Sequence, residues 1–341
     1  MERIPIERFL ELMTAHPCFD VRTPAEYENG HIPGAISLPL FTNEERAVIG
    51  TTYKRAGKEK AILEGLEFVG PRMRHLAESI RKESKKSGAA LIHCWRGGMR
   101  SESVAWLAQF CGVETYVLEK GYKAYRAWCI EQLNTDRKIV ILGGRTGSGK
   151  TEIIKAFRTA GEQSIDLEEL ACHKGSAYGS LGEAPQPHQE MFENLLATEL
   201  SRTDPSRRLW LEDESLHIGR CVIPDAFWPK MREAHVVAVD IPLERRVKFL
   251  NDVYGAFDPA LLAEMTKKIE KRFGPGRTKD CIDAIERGDI VEAVRISLEY
   301  YDKLYDYGLA KRPPDMISTF PFSDEPFEEI AKRLASLHLQ E

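Results

Sequence analysis

Short continuous apolar runs alternate with amphipathic stretches along this chain. The run at 138–142, Lys-Ile-Val-Ile-Leu, is β-branched and apolar, which is typical of a strand buried on both faces of a parallel sheet. Comparable runs predict further strands at 18–22, 89–93, 114–118, 164–166, 209–212 and 236–240. Strands that alternate with helices predict an α/β fold built on parallel sheets.

The stretches between these runs have apolar positions at helical spacing. At 150–160, for example, Ile153 and Phe157 lie on one face of the predicted helix. The same spacing predicts helices at 6–14, 43–53, 72–86, 101–110, 121–133 and 189–201. Two segments lack such a period: the rest of 40–69 reads as irregular and charged, and 167–188 reads as a polar, glycine-rich loop expected to contact substrate.

The strand at 138–142 and the helix at 150–160 flank a G-x-x-x-x-G-K-T motif. It consists of Gly144, Arg145, Thr146, Gly147, Ser148, Gly149, Lys150 and Thr151. Strand, glycine loop and helix form the context in which this motif, the P-loop, binds phosphates through backbone N–H groups and the helix dipole. Lys150 is expected to neutralise a terminal phosphate and Thr151 to ligate Mg²⁺. The motif predicts an oligophosphate site and leaves the ligand open.

The apolar run at 209–212 ends in acidic residues, as a Walker-B strand does. We therefore expect Glu212 or Asp213 to reach the water shell of a Mg²⁺ ion held with Thr151. An edge strand with a charged end is the alternative interpretation.

A second loop with chemical character lies between the strand at 89–93 and the helix at 101–110. It reads Cys94, Trp95, Arg96, Gly97, Gly98, Met99, Arg100 and Ser101. A cysteine beside a helix N-terminus faces inward-pointing N–H groups, which lower its pKa and stabilise a thiolate. The loop therefore predicts a nucleophilic Cys94 in an anion cradle to which Arg100 contributes positive charge.

Composition sets broad bounds on location and redox chemistry. The chain has 341 residues and 43% hydrophobic residues, which is ample for two domains, and it contains no apolar run near the roughly 20 residues of a membrane span. The charged N-terminus lacks a signal-peptide core, so a cytoplasmic location without membrane contact is expected. The seven cysteines include no C-x-x-C pair, which disfavours a zinc site or a disulfide framework.

The net charge of −5 gives no overall attraction to nucleic acid, so an RNA surface must be a local basic patch. Two clusters are candidates. The first lies on the helix at 72–86 and includes Arg72, Arg74 and Lys82, and the second lies around 273–276 and includes Lys267, Lys271, Arg272 and Arg277. The alternatives are a solvated helix face for the first and a phosphate-covering lid for the second.

The N-terminal part resembles a known family in its residues and their spacing. Asp-Val-Arg at 20–22, Glu-Tyr at 26–27 and Gly-His-Ile-Pro-Gly-Ala at 30–35 are similar to the first half of a rhodanese domain. The C-x-x-G of the Cys94 loop matches sulfurtransferases, although Arg100 falls one place later than in the common rhodanese loop. H-C-x₅-R-S, at 93–101, is also the signature of cysteine phosphatases. The loop alone therefore leaves sulfur or selenium transfer and phosphate-ester hydrolysis both open.

The whole chain resembles the tRNA 2-selenouridine synthase family. The resemblance rests on the Cys94 loop, the P-loop, His-Lys-Gly-Ser-Ala-Tyr-Gly at 173–179, and Glu-Asp-Glu-Ser at 212–215 with Ile-Gly-Arg at 218–220. It implies an α/β protein with a rhodanese-like domain at 1–133 and a P-loop, kinase-like domain at 138–341 that has a helical C-terminal part.

The resemblance also implies a two-step reaction at the wobble 2-thiouridine of the tRNA anticodon region. Geranyl diphosphate alkylates the sulfur, with Lys150 and Mg²⁺ stabilising the diphosphate, and selenophosphate from selenophosphate synthetase then supplies selenium through the Cys94 loop. Two other interpretations stay open from the residues: an ATP-dependent small-molecule kinase fused to a sulfurtransferase, and a cysteine phosphatase with a nucleotide-binding module.

Overall fold

A computed structural model describes residues 1–337, and within it the chain divides into two units. Unit 1 contains Met1–Gln132 and His188–Thr198, and unit 2 contains Leu133–Pro187 and the chain from Glu199 onward. The predicted linear boundary assigned 188–198 to the second domain, whereas these residues pack with unit 1. The last residues of the predicted domain at 138–341, residues 338–341, lie outside the described part.

Both units are built on parallel sheets. The strands are β1 (Glu2–Ile4), β2 (Cys18–Asp20), β3 (Ile36–Ser37), β4 (Ala89–His93), β5 (Glu114–Leu118), β6 (Lys138–Gly143), β7 (Gln163–Ile165), β8 (Arg208–Glu212), β9 (His217–Ile218), β10 (Cys221–Val222), β11 (His235–Asp240) and β12 (Ile317–Pro321). The sheet of unit 1 has the order β1-β5-β4-β2-β3 and that of unit 2 the order β12-β11-β6-β8-β7, while β9 and β10 form a small antiparallel pair.

Helices cover these sheets. In unit 1 they are α1 (Ile6–Leu12), α2 (Pro24–Asn29), α3 (Asn43–Ala56), α4 (Lys58–Val69), α5 (Met73–Glu83), α6 (Met99–Phe110) and α7 (Tyr122–Asn134), with a 3₁₀ turn at Gly70–Arg72. The remaining helices are α8 (Lys150–Thr159), α9 (Leu167–Ala171), α10 (Gln189–Ser201), α11 (Trp228–Glu233), α12 (Leu243–Tyr254), α13 (Pro259–Lys268), α14 (Glu270–Phe273), α15 (Pro275–Glu286), α16 (Ile290–Leu309) and α17 (Phe327–Ala335), with a 3₁₀ turn at Pro314–Met316.

The predicted α/β class, the parallel sheets and the helical C-terminal part are confirmed. The prediction for 40–69 was wrong in part, because the segment forms two helices, α3 and α4, rather than one helical stretch in irregular chain. Gly57, at φ 90°, separates them in a conformation that favours glycine. Among the residues described, no helix combines the length and apolarity needed to cross a membrane.

The order of the strands in each sheet determines where the P-loop and the Cys94 loop lie. In unit 2, β6 is followed along the chain by β7 on one side of it and later by β11 on the other, so its carboxyl end is a topological switch point. In unit 1, β4 lies centrally between β2 and β5 and ends at His93. Ligands of open parallel sheets bind beyond the carboxyl ends of strands, which is where the P-loop and the Cys94 loop begin.

Candidate active site

The P-loop leaves β6 and enters α8 through a backbone that requires glycine. Gly147 and Gly149 have φ values of 80° and 76°, in the left-handed region. A Cβ on Gly149 would also lie 2.2 Å from the ring of Phe327, and one on Gly147 would lie 2.9 Å from Leu250. The loop is therefore shaped by packing within unit 2 as well as by its own sequence.

Two residues distant in sequence hold the P-loop in place. The Tyr305 hydroxyl accepts a hydrogen bond of 2.7 Å from the Gly144 N–H. Arg246, only 3% exposed, donates to the Thr146 carbonyl at 3.1 Å and forms a two-pronged ion pair with Asp302 at 2.8 Å. The loop is thus held before any ligand arrives, and no local sequence signal identified these residues.

The side chains of the P-loop differ in how free they are to meet a ligand. The Lys150 ammonium donates to the Gly144 carbonyl at 3.1 Å, so it lies folded across the loop. The Ser148 hydroxyl is buried and, among the described residues, has no hydrogen-bond partner. The Arg145 guanidinium instead pairs with Asp306 at 3.0 Å. A phosphate group would give the Ser148 hydroxyl a hydrogen-bond partner and would give Lys150 a charged partner in addition to the neutral Gly144 carbonyl.

Three carboxylates converge beside the start of α8 and form what we call the carboxylate cluster: Glu168, Glu212 and Glu214, whose ligand atoms lie within 4.8 Å of one another. Both carboxylate oxygens of the buried Glu212 lack a hydrogen-bond partner among the described residues. The Thr151 hydroxyl donates to Glu168 at 3.1 Å, which joins the cluster to the P-loop. Converging oxygen ligands with unsatisfied lone pairs fit a hard divalent cation such as Mg²⁺.

The carboxylate cluster is electrostatically unfavourable without a cation. Burial is the largest cause that raises the pKa of Glu212 well above its ordinary value, and the neighbouring Glu168 adds to it. Burial and Glu168 likewise raise the pKa of Glu214 to about 8, although Lys150 opposes the shift. The cluster therefore retains protons at neutral pH unless a cation replaces them.

Of the predicted metal-binding residues, Thr151 and Glu212 lie at the carboxylate cluster, and Asp213 is engaged elsewhere. The Asp213 carboxylate forms an ion pair of 3.1 Å with the buried Arg312. The strand β8 ends at Glu212, and the turn after it brings Glu214 to the cluster while Asp213 contacts Arg312. Glu168 and Glu214 were not selected from the sequence, although Glu214 stands two positions after Glu212.

Mg²⁺ should bind the carboxylate cluster more tightly as the pH rises. An acid whose pKa is higher in the folded than in the unfolded chain destabilises the fold when it ionises, so the metal-free Tm should fall between pH 4.5 and about 8. Mg²⁺ must displace these protons, so the rise in Tm that it causes should grow over the same window. Calorimetric melts with and without MgCl₂ across this range measure both effects.

The control for this prediction is an acidic residue outside the cluster. Glu212→Gln should abolish the Mg²⁺-dependent rise in Tm, whereas Glu264→Gln, at an exposed ion pair with Lys268, should preserve it. A rise in Tm that is independent of pH, or that survives Glu212→Gln, would contradict a cation site at these carboxylates.

In unit 1, Cys94 lies directly after β4 with its thiol buried and only 3% of the residue exposed. Burial by itself would raise the thiol pKa. The hydrogen bond with Ser101 at 3.2 Å, the backbone N–H groups of the loop and the charge of Arg100 outweigh burial, so the net pKa is lowered. The local electrostatics therefore favour a thiolate at Cys94.

Arg100 reaches this site from the first turn of α6. Its guanidinium pairs with Glu26 at 2.9 Å, which holds the side chain near the loop. On the other side, the backbone closes tightly, because a Cβ on Gly121 would lie 2.2 Å from the Cys94 carbonyl. Tyr122 donates its N–H to that carbonyl at 2.8 Å. The arrangement presents a thiol of lowered pKa, held in place beside inward-pointing N–H groups and a cation.

The basic clusters are placed differently. In the first, Arg74 and Lys82 form ion pairs at the surface with side chains that are 88% and 83% exposed, whereas Arg72 pairs with Glu45 and is only 29% exposed. All four basic residues selected in the second cluster are exposed: Lys267, Lys271, Arg272 and Arg277. The exposed cations are available for phosphate contacts, and Arg72 is partly committed to structure.

A small, partly open apolar pocket, here called the chamber, adjoins the P-loop at Thr146. Its other walls include Leu250, Leu262, Val294, Leu298 and Tyr301, and its volume is about 50 Å³. Four further tyrosine and serine side chains border it, but the lining is dominated by apolar carbon. A phosphate bound in the P-loop would therefore have an apolar neighbour.

Two family models match successive parts of this chain. Residues 6–127 match the family model of the rhodanese-like domain, and 137–287 match that of the tRNA 2-selenouridine synthase AAA domain. A solved N-terminal domain of a Clostridium difficile 630 protein is 41% identical, covers 37% of this chain and 98% of its own, and has a TM-score of 0.36.

Full-length relatives extend the similarity across both units. The tRNA 2-selenouridine synthase of Proteus mirabilis (strain HI4320) is 34% identical, over 90% of this chain and 93% of the relative. That of Shewanella piezotolerans is 35% identical, over 88% of this chain and 91% of the relative. At this identity and coverage, the chain belongs to the tRNA 2-selenouridine synthase family.

Proposed function

We propose that this protein is a tRNA-modifying transferase that converts 2-thiouridine at the wobble position into 2-selenouridine in two steps. In the first, the tRNA sulfur attacks geranyl diphosphate and becomes S-geranylated. In the second, selenium from selenophosphate displaces the geranylated sulfur. The names of the full-length relatives support formation of 2-selenouridine in tRNA, and the 2-thiouridine substrate, the wobble position and the two steps are our assignment.

The observation that carries the first step is the contact between the P-loop and the apolar chamber. Geranyl diphosphate combines a diphosphate with a hydrocarbon tail, and the two adjoining sites offer the matching surfaces. The chamber holds about 50 Å³. A cavity of about 150 Å³ holds one benzene molecule. We therefore expect the surrounding helices to separate when a ten-carbon chain enters.

The charges of unit 2 suit the chemistry of this step. Negative charge develops on the diphosphate as the geranyl C–O bond breaks, and it is stabilised by cations already in position. Lys150 lies across the P-loop, and Thr151 and the carboxylate cluster would hold Mg²⁺, which would supply Lewis-acid stabilisation there. No protein nucleophile is needed, since the thiouridine sulfur itself attacks.

For the second step, the Cys94 loop offers a site for a selenium-bearing anion. The Gly98 and Arg96 N–H groups beside Cys94 and the adjacent Arg100 guanidinium are the positive groups that would hold the selenophosphate anion. Selenophosphate synthetase would supply this substrate, and a cytoplasmic location is part of the same proposal.

One experiment tests both steps. The protein is incubated with 2-thiouridine tRNA and geranyl diphosphate, then with selenophosphate, and the nucleosides are identified by mass spectrometry. S-Geranyl-2-thiouridine followed by 2-selenouridine is the expected order. ATP turnover without tRNA would favour the kinase fusion instead, and aryl phosphate hydrolysis with unchanged nucleosides would favour the phosphatase.

tRNA binding should be electrostatic and local to the two basic clusters. Reversing the exposed charges, as in Lys267→Glu with Lys271→Glu, or Arg74→Glu with Lys82→Glu, should weaken binding. The slope of log K against log salt should fall by about 0.7–0.9 for each phosphate that the protein no longer neutralises. Fluorescence anisotropy over a salt series measures it. Lys332→Glu, an exposed lysine outside both clusters, is the control. An unchanged slope with both clusters reversed would place the RNA elsewhere.

A further inference from the structure

A wide groove in unit 1 leads directly to the Cys94 loop. It lies between the hairpin of α3 and α4 on one side and α6 on the other, and its volume is about 1470 Å³. Cys94, Arg96 and Arg100 line its inner end. The groove therefore belongs to the same site as the thiol, and it is larger than the roughly 300–1,000 Å³ typical of small-ligand pockets.

The sides of the groove carry exposed apolar side chains at positions where a globular protein ordinarily has polar ones. Leu66 of α4 is 60% exposed, and Trp106 and Met99 of α6 are 57% and 52% exposed, and all three line the groove. Contiguous exposed apolar surface of this kind marks a binding site in a globular protein.

The rim of the groove has the opposite character. Arg46 near the start of α3, Lys54 near its end and Lys58 at the start of α4 line it, and they outnumber the acidic lining residues Glu26 and Glu102. Their positive charge suits the phosphodiesters of an RNA chain, whereas the apolar interior repels them. The groove thus matches a ligand with two parts: a polyanion that contacts the basic residues and a hydrocarbon chain that contacts the apolar sides.

We propose that this groove receives the geranyl chain of S-geranyl-2-thiouridine during the second step. The inference rests on the proposed function, in which that nucleoside is the only group that joins RNA to a hydrocarbon. With the chain in the groove, C2 of the uridine lies at its inner end, beside the Cys94 loop. The groove is distinct from the chamber of unit 2, which adjoins the P-loop.

With the geranyl chain in the groove, the leaving group of the second step is also bound there. Selenium of selenophosphate forms the C2–Se bond while the C2–S bond breaks, and sulfur departs with the electron pair as geranylthiolate, which takes up a proton. Water then cleaves the Se–P bond and releases phosphate. Because the departing group carries the hydrocarbon chain, a groove that binds this chain also positions the bond that breaks.

Neighbouring leucines of α4 give a matched pair of variants. Leu66 lines the groove and is 60% exposed, while Leu63 lies outside it and is 58% exposed. Because both side chains are largely in solvent, aspartate at either position should leave the fold intact, which circular dichroism and thermal melts check. Only Leu66→Asp places a charge against the hydrocarbon chain.

The measurement is the affinity for an anticodon stem–loop oligonucleotide that carries either S-geranyl- or S-methyl-2-thiouridine. The wild type should bind the geranyl form at least about tenfold more tightly, since each methylene in an apolar site adds to discrimination. Leu66→Asp should bring this ratio close to one by weakening the geranyl form alone, and the KM for selenation should rise with it. Leu63→Asp should retain the wild-type ratio.

Other outcomes overturn the inference. Equal weakening of both oligonucleotides in Leu66→Asp would make the groove a surface for RNA or for a second copy of the chain. A wild-type ratio in Leu66→Asp would locate the chain elsewhere. Formation of S-geranyl-2-thiouridine from geranyl diphosphate, measured in the same preparations, reports separately on the proposed function: a wild type that makes neither product refutes that function, and with it the groove.

Discussion

Lys150→Ala should lower the rate of tRNA geranylation by about 10²–10³, the loss typical when one preorganised charge is removed from a developing anion. The Lys150 ammonium lies across the P-loop, 3.1 Å from the Gly144 carbonyl, which is a neutral partner. A diphosphate would therefore gain a cation at little structural cost. The effect should appear in kcat, since the negative charge grows as the C–O bond breaks.

The substitution has a second consequence at the carboxylate cluster. Lys150 opposes the raised pKa values of Glu212 and Glu214, so its loss leaves the carboxylates without that positive charge. Because the lost ammonium also repels a cation, we expect Lys150→Ala to bind Mg²⁺ at the cluster at least as tightly. A Mg²⁺ titration of the residual rate separates this effect from the loss of the ammonium itself.

Lys155 offers a control on the same helix. Its side chain is 52% exposed and pairs with Glu152 at 3.6 Å, so Lys155→Ala should geranylate tRNA at the wild-type rate. Selenation of tRNA that is already geranylated should survive in Lys150→Ala, because the proposed second step belongs to the Cys94 loop. Near-wild-type geranylation by a folded Lys150→Ala protein would refute the assigned role of the P-loop.

Features encoded within a few consecutive residues were predictable from the sequence. The P-loop and the Cys94 loop each combine a strand, a turn and a helix start in about ten residues, so composition and spacing carry the geometry. The structure places both loops at the carboxyl ends of central strands, as such spacing predicts. The lowered pKa of Cys94 likewise follows from local N–H groups and Arg100.

Features built by long-range packing were not predictable in this way. Glu168 joins the carboxylate cluster through a loop that read only as polar, and Tyr305 and Arg246 hold the P-loop from distant helices. Asp213 and Glu212 are adjacent in sequence, yet the pairing of Asp213 with Arg312 separates their roles. These contacts form between residues that are distant in sequence and meet only after folding. The periodicity of the sequence therefore does not predict them.

The groove beside Cys94 illustrates the same limit. The segment at 40–69 read as largely irregular because its apolar residues serve the groove as well as the core, which blurs the helical period of α4. Leu66, for example, is exposed although it is apolar. Sequence rules for a soluble helix treat such a residue as an anomaly, and functional surfaces are where these rules are expected to fail.

Cys94→Ala should stop formation of 2-selenouridine while geranylation continues, so that S-geranyl-2-thiouridine accumulates. The first step needs stabilisation of a leaving diphosphate and no protein thiolate, whereas the second brings in a selenium-bearing anion. In unit 1, the Cys94 loop, whose N–H groups and Arg100 lower the pKa of the thiol, is the site suited to that anion. Mass spectrometry of tRNA nucleosides after both substrates are added measures the ratio of the two products.

Two further variants separate charge from size. Cys94→Ser should behave like Cys94→Ala, since a serine hydroxyl stays protonated where the thiol ionises. Arg100→Ala should slow selenation less severely, because it removes one anion contact and raises the thiol pKa while leaving the Ser101 hydrogen bond at 3.2 Å in place. Cys111→Ala, at a half-buried cysteine outside the loop, is the control and should retain both steps.

The Cys94 variants also decide between selenium transfer and phosphate-ester hydrolysis, which the H-C-x₅-R-S spacing left open. A phosphatase would hydrolyse an aryl phosphate as the wild type, lose this activity in Cys94→Ser, and leave tRNA nucleosides unchanged in both. A selenium-transfer site predicts the reverse, with no aryl phosphate turnover and a block between the geranylated and selenated nucleosides. If Cys94→Ala still produced 2-selenouridine at the wild-type rate, the thiol would have no part in the chemistry. Unit 1 would then act by binding tRNA, since its groove and cationic rim do not depend on the thiol.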